Sequence, residues 1–384
     1  MIAVINDIIW KRECEMLERI SISGFRSFSP YRPIDLGLEK VNLLLGANGS
    51  GKSNFISLFQ LLNSMVYGRL QQYVASEGVA SLLHGGPQQT SCIQMRIQVR
   101  QDDVVARYGF KLNFGLPGRL FISDETVEWS RPGPQGPATR YNVYSDSNES
   151  GLGMQNGDLG AMTIVEALKR TYLYQFNNTA SGSPIRSASG IYDCAALRLD
   201  GSNLAAYLRQ LREVERYRPY YQRIVALVRS VMPQFADFTL NEVQSGSVWL
   251  TWRDNLHPGY EFGPHQISDG TLRFIALAVA LLSPPELMPR TIVLDEPELG
   301  LHPLAVAKLA GMIKMASVNS QVIVATQSAA LVDAFDIANV YVADVGKSIG
   351  GSVIRHLSAE RYREWTDQYT LSDLWEKNVI GGLP

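Results

Sequence analysis

A glycine-rich stretch has the residue types and spacing of a phosphate-binding loop. The segment Gly46–Ser53, GANGSGKS, fits the pattern GxxxxGK[ST] and lies between the apolar run VNLLL and a helical pattern. Glycines let backbone N–H groups turn toward phosphate oxygens, and the start of the following helix adds positive potential. The alternative is an exposed glycine turn. The pattern predicts a nucleotide-binding loop whose ligand-binding residues are Gly46, Asn48, Gly49, Ser50, Gly51, Lys52, Ser53 and Asn54.

A second motif places two acids at the end of an apolar run, Ile292-Val293-Leu294-Asp295-Glu296. Adjacent carboxylates repel each other unless a cation or separate roles divide them. We expect Asp295 to hold Mg²⁺ together with the Ser53 hydroxyl, and Lys52 to reach the β- and γ-phosphates. Glu296 is then the residue that orients or deprotonates a water molecule. The alternative is that both are surface acids without a ligand. The presence of the glycine loop in the same chain makes this alternative less favoured.

The segment QISDGTLR, residues 266–273, stands directly before an apolar helix. Ser268 to Thr271 are typical of an N-cap and first helical turn, which needs no ligand. A serine and free N–H groups at a helix start also form an anion site. These residues by themselves leave both roles open.

Hydrophobic periodicity indicates the elements that position these motifs. Strands are predicted in ERISIS and VNLLL, a helix over Ser53–Val66, and antiparallel hairpins from Cys92 to about Tyr144. The stretch Arg131–Asp158 is predicted to be a surface loop, and TIVLDEP and QVIVATQS to be buried parallel strands. The predicted organisation is a leader over residues 1–21, a first lobe over 22–200, a helical lobe over 201–290 and a return to the core over 291–384.

Bulk composition is that of a soluble globular protein. The 384 residues are 46% hydrophobic and 19% charged, the net charge is −2, and the mean hydropathy is −0.05. There is no apolar run of the ~18 residues that a membrane span requires and no secretory signal, so we expect a cytoplasmic protein without a membrane partner. The three cysteines and five histidines are scattered without metal-ligand spacing.

The order of the motifs, from the glycine loop through ISDGT and LDEPELGLHP to ATQSAALVDAF, resembles the ABC-type ATPase heads of SMC-like, RecF-like and OLD-type proteins. The resemblance implies an α/β P-loop NTPase fold with an antiparallel β appendage and an inserted helical lobe. It implies ATP and Mg²⁺ as ligands, and a homodimer that sandwiches ATP between the loop of one copy and Ser268 and Gly270 of the other. Because a short stretch follows Gln327 in this sequence, we do not expect it to contain the appended nuclease domain of the OLD type.

Two further positions follow from the same resemblance. Gln175 lies where such heads place a glutamine that senses Mg²⁺ and water, although a strand-end glutamine is also commonly solvated. Gln327 stands where many relatives have a histidine that touches the γ-phosphate, and a glutamine can donate the same hydrogen bond but carries no charge. We therefore expect slow hydrolysis, suited to a switch. By the same analogy His302 is expected at the dimer seam, and a capping or buried histidine is the alternative.

Four arginines, at positions 209, 212, 216 and 223, have spacings that favour one helical face. A solvated surface is the favoured interpretation and a face that contacts DNA or a partner protein is the alternative.

The leading functional hypothesis is an ATP-dimerised switch in DNA maintenance or anti-phage defence that controls a separately encoded effector. The alternative is a scaffold that holds ATP without hydrolysing it. A transporter subunit and a self-contained nuclease are less favoured.

Overall fold

The computed structural model describes residues 16–116, 118–131, 138–144, 148–155, 157–243, 246–346 and 350–383. Its strands in chain order, β1 to β17, are Met16–Ser23, Ile34–Gly37, Val41–Leu45, Cys92–Gln101, Val104–Gly115, Arg119–Ser130, Thr139–Tyr144, Thr171–Tyr174, Ser189–Gly190, Phe235–Phe238, Glu242–Val243, Ser247–Val248, Trp252–Asp254, Thr291–Asp295, Gln321–Thr326, Val340–Gly346 and Gly351–His356. Its α-helices, α1 to α11, are Lys52–Val66, Leu70–Glu77, Val79–Leu82, Leu159–Lys169, Leu204–Glu213, Arg218–Val231, Asp269–Leu282, Pro303–Ala316, Ala329–Val332, Ala359–Thr366 and Leu371–Glu376.

The described residues form two compact units. The first contains the described chain up to Thr171, Ala338–Tyr362 and the described residues from Trp375, and the second contains Tyr172–Ile337 and Arg363–Leu374. The expected divisions at 200 and 290 do not coincide with these units, because the second unit includes Tyr172–Ile337 without a break and β8 pairs with β14. Residues 16–21 of the expected leader belong to β1, Met16–Ser23, and residues 1–15, with Cys14, lie outside the described residues.

The first unit contains the predicted antiparallel appendage, a sheet of order β2-β1-β4-β5-β6-β7. Alternate residues of β4, including Ile93, Met95, Ile97 and Val99, are buried, as the period of two predicts. Part of the predicted loop over 131–158 is instead a strand, because TRYNVY alternates well enough for β7 to pair with β6. Separately, β3 pairs in parallel with β16, and β16 pairs antiparallel with β17.

Strand β6 of this appendage carries a buried carboxylate, that of Glu125. Glu125 is fully buried and accepts hydrogen bonds from the hydroxyls of Tyr108 and Ser150, both at 2.5 Å, and from the Gly151 N–H at 3.1 Å. Burial, and then the neighbouring Glu125, raise the pKa of Tyr108 well above its usual value, so its hydroxyl remains a donor at neutral pH. The carboxylate therefore joins two strands of the sheet to the segment that follows β7.

Replacing Glu125 by Ala is expected to lower the free energy of unfolding by about 3 kcal/mol, because three buried donors lose their acceptor. Urea denaturation of the full chain measures the loss. Glu128→Ala on the same strand is the matched control: its ion pair with Arg107 is partly exposed, and such pairs contribute about 1 kcal/mol or less. Equal effects of the two substitutions would contradict the role given to Glu125.

The second unit contains the predicted parallel strands. β14 pairs in parallel with β15, with Asp295 opposite Ala325, and every residue of β15 is buried. The helix predicted over residues 271–282 is α7, which begins two residues earlier because Ser268 caps it. The predicted β-hairpin after Val231 is also present, as β10 paired with β13 and β11 with β12. Among the helices of the described residues, none has the length and apolarity to cross a membrane.

The four arginines do not share a helical face, which corrects the expectation from their spacing. α5 ends at Glu213 and α6 begins at Arg218, so the continuous helix that the spacing assumed is broken between them. Arg209 forms ion pairs with Glu213 and Glu242, and Arg212 donates to the carbonyls of residues 238–240. The aromatic rings of Tyr217 and Tyr220 lie under Arg216 and Arg223. These contacts favour a structural and solvated role.

Candidate functional site

The glycine loop is closely packed in the first unit. Gly49 and Gly51 adopt positive φ angles of 78° and 104°, which side chains disfavour. A Cβ on Gly46 would lie 2.5 Å from the Ala343 carbonyl oxygen and 2.7 Å from Ser50 Oγ. The loop therefore requires glycine at these positions for local steric reasons as well as for ligand approach.

The same loop presents polar groups that suit a phosphate. Ser50 is buried, and its hydroxyl has no hydrogen-bond partner among the described residues. The backbone N–H groups of Asn48, Gly49 and Gly51 likewise have no acceptor in the described part of the chain. Unpaired donors at the start of a helix form an anion site. The residues present thus fit the triphosphate that the sequence pattern predicts.

The side chains of Lys52 and Asn54 form hydrogen bonds with other residues of the first unit. Lys52 is only 4% exposed, and its Nζ donates to the carbonyls of Gly46 at 2.7 Å and Ala47 at 2.9 Å. Asn54 donates its side-chain amide to Ser27 Oγ at 2.8 Å, which favours a supporting role over direct phosphate contact. Ser53 is exposed in the first turn of α1.

In the second unit, the acidic pair lies at the end of β14. Glu296 adopts a φ of 48°, an uncommon conformation for a residue other than glycine, and its N–H donates to the Ala325 carbonyl at 2.8 Å. The side-chain amide of Gln327 donates to Glu296 Oε1. The structure therefore brings together Glu296 and Gln327, the two residues of this unit that the sequence nominated for catalysis.

A third acid, Glu298, was not singled out by the sequence. Its Oε1 accepts from Thr326 Oγ1 at 2.6 Å and from the Gln327 N–H at 3.0 Å. The sequence offered only the proximity of Glu298 to Asp295 and Glu296, and its partners lie 28 and 29 positions further along the chain. Hydrogen bonding across such a separation is visible only in the tertiary structure.

Ser268 caps α7, as the local pattern predicts. Its hydroxyl oxygen accepts from the Thr271 N–H at 3.2 Å and donates to Thr271 Oγ1 at 2.8 Å, yet the residue remains exposed. A Cβ on Gly270 would lie 2.4 Å from the Gly300 carbonyl oxygen, so this glycine allows the helix start to pack on the segment after β14. Capping does not exclude an anionic ligand, because the hydroxyl hydrogen can turn from Thr271 Oγ1 to a phosphate oxygen while the hydroxyl oxygen still accepts from the Thr271 N–H.

Comparisons with known proteins show the fold of this chain. Residues 194–333 match a family described as "AAA domain, putative AbiEii toxin, Type IV TA system". A crystal structure of an Smc head bound to the C-winged helix domain of ScpA covers 90% of this chain and 99% of its own, with a TM-score of 0.55 and 16% identity. The chain has the ABC-type ATPase head fold. The resemblance in motif order is thereby confirmed at the level of fold.

Two further similarities concern the same kind of head. An Smc head domain with an extended coiled coil, bound to the C-terminal domain of ScpA and derived from Pyrococcus furiosus, covers 92% of this chain and 99% of its own at a TM-score of 0.51 and 16% identity. The Structural maintenance of chromosomes protein 3 of Arabidopsis thaliana is 37% identical over 70 residues, which span 18% of this chain and only 6% of that relative. This head therefore matches the plant protein over a short segment.

Gln175 and His302 are two other positions that the sequence singled out in the second unit. Gln175 directly follows β8, is exposed, and donates its backbone N–H to the Leu199 carbonyl at 2.8 Å, which leaves its side chain available to a ligand. His302 caps α8 by accepting from the Leu304 N–H at 3.3 Å, so the capping alternative is the one observed. Among the described residues, no cluster of His, Cys, Asp and Glu could hold a metal ion by itself.

Arg273, in the first turns of α7, is a structural residue that sequence reasoning left without a role. Its guanidinium is buried and donates to the carbonyls of Phe176, Asn177 and Leu299. Burial lowers the pKa of this guanidinium, although arginine remains charged. Arg273 thus joins α7 to the segment after Gln175 and to the segment after Glu298.

Proposed function

We propose that this protein binds ATP with Mg²⁺, dimerises around the nucleotide and hydrolyses it slowly as a conformational switch. The contact between Gln327 and Glu296 at the end of β14 carries the proposal, because the amide hydrogen bond orients the carboxylate that is proposed to activate water. The phosphate-binding cradle of Gly46–Ser53 and the ATPase-head fold support it. Ser53, Asp295 and Gln175 would hold Mg²⁺, which would supply charge neutralisation on the phosphates.

In this proposal the residues of the chain divide the work of hydrolysis. Lys52 moves its ammonium hydrogen bonds from the Gly46 and Ala47 carbonyls to phosphate oxygens. Glu296 accepts a proton from the attacking water through the oxygen that Gln327 leaves free. Because Gln327 is neutral, it orients Glu296 without adding the positive charge that a protonated histidine provides. That difference supports slow turnover.

The dimer follows from the exposed start of α7. Ser268 and the nearby N–H groups form an anion site on the surface of one copy, and the γ-phosphate of a second copy is the ligand that completes it. The similar Smc heads are bound to ScpA, so a separately encoded protein is proposed as the partner here too. A role in defence or DNA maintenance, with DNA as a further partner in the cytoplasm, is the biological setting that we propose.

A pair of substitutions at Ser268 tests the dimer. Asp and Asn cap helices about as well as Ser, but only Asp carries a charge that repels a phosphate. We expect Ser268→Asn to retain the ATP-dependent dimer and Ser268→Asp to lose it, as measured by light scattering of the full chain with ATP and Mg²⁺. Dimerisation of Ser268→Asp at wild-type ATP concentrations would show that Ser268 only caps α7.

The competing function is a nucleotide-bound scaffold for partner proteins, without hydrolysis. Gln327 favours it specifically, because the amide occupies one oxygen of Glu296 and lacks the charge that many relatives supply at this position. Phosphate release distinguishes the scaffold from the switch, since only the switch requires Glu296 to act as a base.

A further inference from the structure

Glu298 fixes the start of the segment that carries Gln327. Its Oε1 accepts two hydrogen bonds, from the Thr326 hydroxyl and from the Gln327 N–H, and the Thr326 hydroxyl in turn accepts from the Ser328 N–H at 2.9 Å. β15 ends at Thr326, so the sheet no longer holds the backbone from Gln327 onward. The Glu298 carboxylate therefore sets the backbone position from which the Gln327 side chain reaches Glu296.

The segment that carries Glu298 is itself held by α7. Arg273 donates to the Leu299 carbonyl, and the start of α7 at Gly270 packs against the Gly300 carbonyl so closely that no Cβ fits between them. Gly300 has a φ of 76°, which makes the turn at this contact. Any movement of α7 against this segment changes the position of Glu298.

We propose that Glu298 is a positioning residue for ATP hydrolysis, which transmits the position of α7 to the Gln327–Glu296 pair. This inference rests on the proposed ATPase function. It is carried by a continuous chain of contacts within one unit, from Gly270 and Arg273 through residues 298–300 to Gln327 and then Glu296. The ATP-dependent contact proposed at Ser268 would thus reach the catalytic carboxylate through Glu298.

The burial of its second carboxylate oxygen distinguishes Glu298 from a solvated glutamate in a surface loop. Glu298 Oε2 is buried and has no hydrogen-bond partner among the described residues. Burying a carboxylate oxygen without a partner costs free energy, so the fold retains this acid at a cost in stability. A buried polar atom without a partner is explained in native structures by strain, a catalytic role or a bound water or ion.

The test is steady-state ATP hydrolysis by the full chain with Mg²⁺. Glu298→Ala is expected to lower kcat on the order of tenfold to a hundredfold, since small misplacements of catalytic groups have effects of this size. The KM for ATP should stay within about twofold, because the hydrogen bonds of Glu298 Oε1 go to Thr326 and Gln327, and neither residue is assigned to ATP binding. Glu298→Gln retains the accepting oxygen and should keep kcat within about threefold of wild type.

A double-mutant cycle separates positioning from general loosening of the fold. If Glu298 acts through Gln327, the double variant Glu298→Ala/Gln327→Ala will be no slower than Gln327→Ala alone. Thr326→Val removes the hydroxyl contacts with Glu298 and with the Ser328 N–H but keeps the contact between Glu298 and the Gln327 N–H. It should lower kcat in the same direction and provides a second variant should Glu298→Ala fail to fold. Glu286→Ala, an exposed glutamate in the same unit, is the control with unchanged kcat.

The outcomes distinguish the inference from the proposed function. Wild-type hydrolysis no faster than that of Glu296→Gln would overturn the ATPase proposal, and the inference with it. Wild-type hydrolysis above that level, together with full kcat in folded Glu298→Ala and Thr326→Val, would overturn the inference alone. An additive double variant, slower than Gln327→Ala by the full Glu298→Ala factor, would also overturn it.

Discussion

Glu296→Gln is expected to lower the rate of phosphate release by about 10²–10⁴-fold while ATP still binds. An amide has the size of the carboxylate and can adopt the same backbone, including the φ of 48°, but it cannot accept a proton from water. Lys52 and the loop N–H groups are unchanged, so the affinity for ATP should remain within about threefold of wild type. Because hydrolysis ends the nucleotide-bound state, the ATP-dependent dimer should also persist longer in this variant.

Phosphate release and light scattering, followed on the same samples with ATP and Mg²⁺, measure both effects. Glu286→Gln is the matched control, since it makes the same chemical change at an exposed position of the same unit. Equal and negligible phosphate release by wild type and Glu296→Gln would favour the scaffold. Rapid hydrolysis by Glu296→Gln would show that another group activates the water.

Lys52→Met is expected to weaken ATP binding by about tenfold to a hundredfold, because a charged hydrogen bond contributes about 1.5–3 kcal/mol. The Lys52 ammonium is buried beside the Gly46 and Ala47 carbonyls, so it is placed to bind phosphate with little loss of conformational freedom. Methionine preserves most of the buried aliphatic length, which limits the effect on packing. Titration with a fluorescent ATP analogue measures the affinity.

Lys40→Met is the control for this substitution, because Lys40 is an exposed lysine directly before β3. It should leave the affinity for ATP unchanged. Thermal unfolding of both variants without nucleotide checks that Lys52→Met folds. Wild-type affinity in folded Lys52→Met would contradict the assignment of Gly46–Ser53 as the phosphate-binding loop.

The sequence predicted the local parts of this protein well. The glycine loop, the strand that ends at Asp295 and the cap at Ser268 each depend on consecutive residues, so steric rules and hydrophobic periodicity reveal them directly. The period-two pattern from Cys92 likewise predicted the antiparallel appendage. The prediction from the spacing of the four arginines was wrong, because it assumed one continuous helix, whereas α5 and α6 are separate helices.

The amino-acid sequence by itself therefore determined the motifs and the strands and helices that carry them, and it predicted the class of ligand. Only the tertiary structure decided which distant groups meet: Glu298 with Gln327, Arg273 with Leu299, and Glu125 with Ser150. The physical reason is that short-range periodicity records the local backbone and the side of an element that is buried. A hydrogen bond between remote residues depends on how whole elements pack, which no local pattern records.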